Sequence, residues 1–209
     1  KRAYDNDEGP NTGGMGAYTP LPFVTEEDEA FARKYILEAV AKGMCQEGLP
    51  LTGVLYGGLM KTANGIKVIE FNARFGDPET EVVLPLLESD AYDVFYGIAT
   101  GDEAMRLKGD KAMNWRNEAT IGVVLASKGY PGDYTKGAVI EGTEVFDGPI
   151  FHMGTKNDNG VLKTNGGRVM MCIATGKDIS AAREKVYKEI EKIQCSNLFY
   201  RKDIAHWAL

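Results

Sequence analysis

From residue 25 onward, apolar and polar positions fall into regular patterns. Leu37, Val40 and Met44 recur every three or four residues, the spacing of one apolar stripe on a helix. Thr25 stands where a helix N-cap belongs, with Asp28 three residues on and further acidic residues in the first turn. Gly48 and Pro50 stop the pattern, which predicts a helix over 25–47. The next segment, 52–73, predicts a β-hairpin. TGVLYGGLMKT and IKVIEFNA are strand-like runs around Ala63-Asn64-Gly65, and Asn-Gly is a strong hairpin signal. Residues 79–101 predict short helices ending at Gly101. ATIGVVLAS predicts a buried strand, and Gly129, Pro131 and Gly132 a turn. Short strands are expected near 138–146, 149–154 and 168–175. A helix is expected over 180–194, with Ala182, Val186, Ile190 and Ile193 on one face and Asp178 or Ser180 as cap. Residues 1–22 are polar and rich in Gly and Pro, and predict loop. The stretch 107–117 (LKGDKAMNWRN) is polar without periodicity, so the expected organisation is a domain over 1–106, a linker over 107–117 and a smaller domain over 118–209.

Composition narrows the function class. The 209 residues are 44% hydrophobic and 26% charged, enough for one or two globular domains with a sizeable core. No apolar run approaches a membrane span of about 20 residues. A net charge of −6 lacks the broad basic footprint of a nucleic-acid binder; anionic small substrates remain open, since a few local donors suffice. Cys45, Cys172 and Cys195 lie far apart with no C-x-x-C pair, which argues against a disulfide framework or zinc site and for reduced thiols in a cytoplasmic protein. His152 and His206 are the two histidines, a weak basis for Ser-His or Cys-His catalysis. The chain opens on Lys-Arg without Met, and its first dozen residues already read as a working loop; a fragment of a longer protein is expected.

Three stretches carry candidate chemistry. In IEFNAR (69–74), alternation puts Glu70, Asn72 and Arg74 on one strand face and Ile69, Phe71 and Ala73 toward a core. A carboxylate and an amide oxygen suit Mg²⁺, which takes few protein ligands and completes its shell with substrate phosphates. Arg74 beside them can grip a phosphate. A solvated face with a Glu–Arg pair fits the same pattern. The following GDPETE (76–81) adds carboxylates at a turn, with Asp77 before Pro78 either turn former or site residue. Pro78, Glu79 and Glu81 are expected in the first turn of the next helix. In GPNTGGMG (9–16), Gly13, Gly14 and Gly16 expose backbone N–H groups that can cradle an anion, though neither a Walker A loop nor G-x-G-x-x-G is present. In TNGGR (164–168), Asn-Gly-Gly fits a hairpin turn, and Arg168 follows it.

Taken together, KRAYDNDEGPNTGGMGAYTP (1–20), GVLYGGLM (53–60), VIEFNARFGDPETEVVLPLLESD (68–90), FHMGT (151–155), TNGGRV (164–169) and RKDIAHWAL (201–209) resemble the phosphoribosylamine–glycine ligases (glycinamide ribonucleotide synthetases) of the ATP-grasp superfamily, in the family's order and over nearly the whole chain. The resemblance implies an α/β (α+β) fold: the C-terminal part of an ATP-grasp domain with a mainly antiparallel sheet, then a small β-rich domain with one helix. It implies that glycine, activated by ATP as an acyl phosphate, is joined to 5-phosphoribosylamine in purine synthesis. It places Mg²⁺ or Mn²⁺ on Glu70 and Asn72, Arg74 near the transferring phosphate with Asp77 as a further catalytic residue, and amino acid and ribose around Asp5, Asn11, Thr12, Gly13, Gly14, Met15 and Gly16. Gly166, Gly167 and Arg168 are expected to face the phosphoribosyl phosphate. ATP-grasp enzymes often carry another carboxylate on the preceding strand, where YGGLM (56–60) offers none. The family also has an N-terminal stretch of comparable length that includes the lid over ATP, so this chain is expected to be inactive alone. Another ATP-grasp ligase or carboxylase, or a non-catalytic nucleotide- or partner-binding module, are the competing readings.

Overall fold

The computed structural model describes residues 1–101 and 113–209; residues 107–112 of the expected linker lie outside the described residues. In chain order come β1 (Arg2–Tyr4), β2 (Glu8–Asn11), β3 (Gly16–Thr19), α1 (Glu26–Phe31), a π-helical turn (Ala32–Leu37), α2 (Glu38–Gln46), β4 (Tyr56–Thr62), β5 (Gly65–Asn72), α3 (Thr80–Val83), α4 (Ala91–Thr100), β6 (Ala119–Ser127), β7 (Ile150–His152), β8 (Thr155–Asp158), β9 (Val161–Thr164), β10 (Arg168–Gly176), α5 (Ile179–Ile190) and β11 (Leu198–Phe199). All strand pairings are antiparallel, in keeping with the expected mixed α/β fold. The described residues form two compact units that do not follow chain order. The first holds Lys1–Pro20, Asp77–Leu86 and Asn117–Leu209; the second holds Leu21–Gly76 and Leu87–Arg116. The expected grouping of 1–106 as one body differs from this, because β3 pairs with β6 of the C-terminal stretch.

The first unit is built on β6, whose nine residues are all buried. β10 lies along one edge, and β3 and β11 share the other, opposite Thr120–Val123 and Ala126–Ser127. β7 extends the sheet beyond β10. One sheet face, with Ile121, Val123, Leu125, Met170, Cys172 and Ala174, is covered by Ala182, Val186 and Ile190 of α5. Each buried Val or Ile there contributes about 1.5–3 kcal/mol of transfer free energy. The opposite face, with Val124, Met171 and Ile173, packs on Val82 of α3. Asp178 caps α5, accepting from Ala181 N at 2.8 Å. The helix ends at Ile190, short of the expected 194, because Lys192 and Ile193 turn back to donate to Glu189 and Ile190 carbonyls.

Three local expectations are corrected. Residues 1–22 contain strands as well as loop, because β1 and β2 pair with each other and β3 finds an edge of β6. No strand forms over 138–146; Val139 and Glu141 make single bridges to Lys163 and Gln194 before a 3₁₀ turn at Thr143–Val145. Asn165-Gly166-Gly167 is not a hairpin turn. β9 pairs instead with β8 across Asn159-Gly160, both at positive φ (53° and 86°), the geometry that Asn-Gly favours.

In the second unit, Thr25 and Asp28 form a reciprocal capping box. Lys61 of β4 reaches Asp28 and the Phe23 carbonyl. The salt bridge and the capping bonds hold the Asp28 carboxyl down at about 2. β4 and β5 form the expected hairpin, with Thr62 opposite Gly65. α4 ends at Gly101 in the left-handed conformation. Among the described residues no helix is long and apolar enough to cross a membrane.

Candidate active site

In the first unit, the glycine loop is shaped by its neighbours. Lys1 carbonyl accepts from Thr12 N and Thr12 Oγ1, both at 2.9 Å, and Thr12 Oγ1 accepts from Gly14 N at 3.0 Å. Gly13 N donates to Tyr130 Oη at 3.2 Å. Gly14 sits at φ 124°, and a Cβ there would lie 2.6 Å from Pro78 Cδ, so only glycine fits. Met15 is buried, and its carbonyl accepts from Val124 N, which fastens the loop to the central strand. Asn11 ends β2 opposite Arg2, exposed.

Arg168 converges on this loop. Its Nη1 is 2.9 Å from Asp77 Oδ1 and donates to the Asp77 and Gly14 carbonyls at 3.3 and 3.5 Å. Its guanidinium lies against Gly13. Its Nε and Nη2 make no hydrogen bond among the described residues, so half the donor fork remains for a ligand. Gly166 and Gly167 are held by Ser127, whose Oγ donates to Gly166 O and whose N donates to Gly167 O; the Tyr130 ring covers Gly167. Lys1 Nζ pairs with Glu79 at 2.8 Å. Glu79 stands at the N-cap and Thr80 opens α3, so Pro78 precedes the helix rather than filling its first turn. Glu81 is half-buried: burial raises its carboxyl above the usual range, Asp77 and Glu79 add to the rise, and Arg168 opposes it.

The first unit thus brings together Thr12, Gly13, Gly14, Met15, Asp77, Gly166, Gly167 and Arg168. It places Asp5 elsewhere, in the turn before β2, where its Oδ1 accepts from Lys202 N at 2.7 Å. Tyr130 and Lys1 join the cluster without being singled out from the sequence. A tyrosine has no spacing rule, and only the Pro-Gly turn beside it hinted at a fixed loop.

The second unit carries Glu70 and Asn72 near the end of β5. Ile69 is the extra residue of a bulge between the Leu59–Val68 and Gly58–Glu70 pairs, a device that re-aims side chains near sites. A Cβ at Gly58 would lie 3.1 Å from Glu70 Cγ, so the glycine leaves room beside the carboxylate. The Asn72 amide nitrogen is buried with no hydrogen-bond partner. The Glu70 carboxylate and the Asn72 amide oxygen are the hard oxygen donors this strand offers a divalent cation, which would take its remaining ligands from substrate. Among the described residues no group of three His, Cys, Asp or Glu gathers around a metal-sized site. Arg74 lies beyond the strand and donates to the Phe75 carbonyl at 2.7 Å. Ile69 and Phe71, expected in a core, are exposed at 62% and 39%, because β5 pairs only with β4 among the described residues.

Cys172 offers no nucleophile: it is buried in the sheet, and burial pushes its thiol up to about 12.

The family model for the phosphoribosylglycinamide synthetase ATP-grasp (A) domain matches residues 1–80, and that for the C domain of the same synthetase matches 120–207. The chain is 48% identical to a phosphoribosylamine–glycine ligase of Halalkalibacterium halodurans, over 100% of this chain and 48% of that protein. It is 46% identical to the bovine trifunctional purine biosynthetic protein adenosine-3, over 100% of this chain and 21% of that one. The crystal structure of the phosphoribosylamine–glycine ligase of Thermotoga maritima superposes with a TM-score of 0.84 at 35% identity, covering 97% of this chain and 49% of that one. The chain spans about half the length of the curated phosphoribosylamine–glycine ligases it matches. With both domain models matched in order and the loop, hairpin and Arg168 motifs in place, the chain belongs to the phosphoribosylglycinamide synthetase family.

Proposed function

We propose that this chain is the part of an ATP-dependent ligase that joins the carboxyl of glycine to the amine of 5-phosphoribosylamine, releasing ADP and phosphate in purine synthesis. The observation that carries the reading is 48% identity over the whole chain to a protein named for that reaction. ATP phosphorylates the glycine carboxylate, the amine attacks the acyl phosphate, and phosphate leaves. Such transfers need positioning and charge neutralisation more than a protein nucleophile.

Glu70 and Asn72 would hold Mg²⁺ or Mn²⁺. When bound, the cation neutralises charge on the phosphate oxygens. Arg74 supplies a mobile positive charge for the transferring phosphoryl group. The Gly13–Gly14 loop, with Asn11 and Thr12 at its entry and Met15 and Gly16 anchoring its exit, lies against the Arg168 guanidinium and shapes the wall that the anionic substrates meet. The free Nε and Nη2 of Arg168 grip the ribose phosphate while Asp77 orients the guanidinium, and Gly166 and Gly167, packed against Gly154 and the Tyr130 ring, hold the bend that leads into Arg168. Asp5, with one oxygen held by the tail's Lys202 N, steadies the β1–β2 turn beside the substrates. The chain spans about half the length of the ligases it resembles, and an adenine-binding lid would complete the ATP site. Reduced, separated thiols suit a cytoplasmic enzyme.

The test is ADP release by this chain joined to the N-terminal half of its Halalkalibacterium halodurans relative, with glycine and phosphoribosylamine omitted in turn. ADP only when both are present supports the ligase. ADP release indifferent to glycine sinks the substrate assignment and points to another ATP-grasp acid.

A further inference from the structure

One buried charge cluster takes no part in the chemistry above. Arg201 is 7% exposed, rare for arginine without full pairing. Its Nε and Nη2 fork onto both oxygens of Asp203 at 2.7 and 2.8 Å. Nη2 also reaches Asp7 Oδ1 at 3.0 Å, and Nη1 donates to the Arg2 carbonyl at 3.2 Å. Asp203 in turn accepts from Asn6 N at 2.8 Å, and Asp5 Oδ1 accepts from Lys202 N at 2.7 Å. Every residue of the 5–7 turn is therefore tied to the 201–203 tail.

Asn6 and Asp7 adopt left-handed φ of 59° and 55°, a region Asn and Asp enter more readily than other non-glycine residues, and the bonds to the tail fix the two in succession. From the turn the hold passes along two paired strands. β1 and β2 run side by side with Arg2 opposite Asn11, and Lys1 at the head of β1 binds Thr12 through its carbonyl. Thr12 Oγ1 then receives the Gly14 amide. The tail is anchored at its other side, since Tyr187 Oη of α5 donates to Arg201 O and accepts from Ile204 N, and Arg183 donates to the Lys202 and Ile204 carbonyls.

We infer that Arg201 and Asp203 are positioning residues for the Thr12–Gly14 loop: the tail's ion pair, clamped on α5, locks the 5–7 turn and so sets where that loop stands beside the Arg168 guanidinium that meets an anionic substrate. The second half of this rests on the proposed function; the first half does not.

Two measurements separate them. Native-state hydrogen exchange on this chain compares wild type with Arg201→Lys, which keeps the charge but cannot fork onto Asp203 while reaching Asp7 and Arg2. The Asn6, Thr12 and Gly14 amides are expected to exchange at least tenfold faster, with those of α5 and β6 unchanged. Unchanged exchange at Thr12 and Gly14, or equal acceleration in α5, overturns the inference. Should Arg201→Lys fail to fold, Asp7→Asn, at an exposed residue, removes a single link and is expected to give a smaller increase at the same amides. In the joined ligase, Arg201→Lys is expected to raise KM for glycine or phosphoribosylamine at least fivefold, with kcat within twofold. A fall in kcat alone, or an unmoved KM, overturns the positioning role. If the wild-type joined chain shows no ligase activity, the proposed function fails while the exchange result still decides whether the tail holds the loop.

Discussion

Arg168→Lys should separate folding from phosphate binding. In the wild type, one guanidinium nitrogen is spent on Asp77 and the Gly14 carbonyl, leaving Nε and Nη2 for a ligand. Lysine keeps the charge but offers one ammonium, which can hold Asp77 or a phosphate squarely, not both. The Arg168 and Asp77 side chains are 20% and 48% exposed, so solvent screens the pair and the stability loss should stay below about 1 kcal/mol. A charge-assisted hydrogen bond to phosphate is worth about 1.5–3 kcal/mol, so the dissociation constant for ribose 5-phosphate should rise about 10- to 100-fold. Calorimetric titration of this chain at low salt, with a urea unfolding curve alongside, gives both numbers. Lys177→Gln, at an exposed residue of the same unit, controls for loss of general positive charge. Equal binding by Arg168→Lys and wild type, or an equal loss in Lys177→Gln, would refute the assignment of Arg168 to the phosphate.

Four further outcomes follow from the geometry. Glu70→Gln in the joined ligase should cut turnover at limiting Mg²⁺ by at least about 100-fold, since one carboxylate carries the cation's protein charge; unchanged turnover removes Glu70 from the metal site. Asp28 is held at about 2 by Lys61 and the capping bonds, below its unfolded value of about 4. Its contribution to the second unit is therefore present above pH 4 and lost as pH falls toward 2, and an acid titration of Asp28→Asn followed by circular dichroism should lack that loss; Thr25→Ala should cost the same helix about 1 kcal/mol in urea unfolding. Glu81 has the opposite sign. Its carboxyl is raised by burial, so stability is fully present below the unfolded value and declines as pH rises through the folded one. Glu81→Gln should flatten that decline as pH rises above the unfolded carboxyl value in thermal melts, and an unchanged slope would show that burial does not hold the Glu81 proton.

Elements whose cause is local were legible in the sequence. The Thr25 cap, the Ala63-Asn64 turn, the apolar run of β6 and the face of α5 each follow from neighbours within a few residues, and each is found where expected. What was not legible depends on partners far along the chain. β3 reads as loop because Gly16–Thr19 has little strand character of its own; it becomes a strand by lying along β6, about a hundred residues away. The same distance hides the site. Arg168 and Asp77 are 91 residues apart, and Tyr130 meets Gly13 across 117, separations that no periodicity reports. Asp5 is expected near the substrates from its place before the glycine loop, and nothing in the sequence signals that the tail's Lys202 N donates to one of its oxygens. The expected burial of Ile69 and Phe71 followed from alternation, which assigns faces but says nothing of whether a face is covered.

The claim that glycine is activated by phosphorylation before the amine attacks is tested most directly by isotope transfer. Glycine labelled with ¹⁸O in its carboxylate is turned over by the joined ligase with ATP and phosphoribosylamine, and the released phosphate is weighed by mass spectrometry. Transfer of one ¹⁸O to each phosphate is expected, because the acyl phosphate breaks at the carbonyl carbon and its bridging oxygen leaves with phosphorus. Phosphate free of label, with product still formed, would contradict the account.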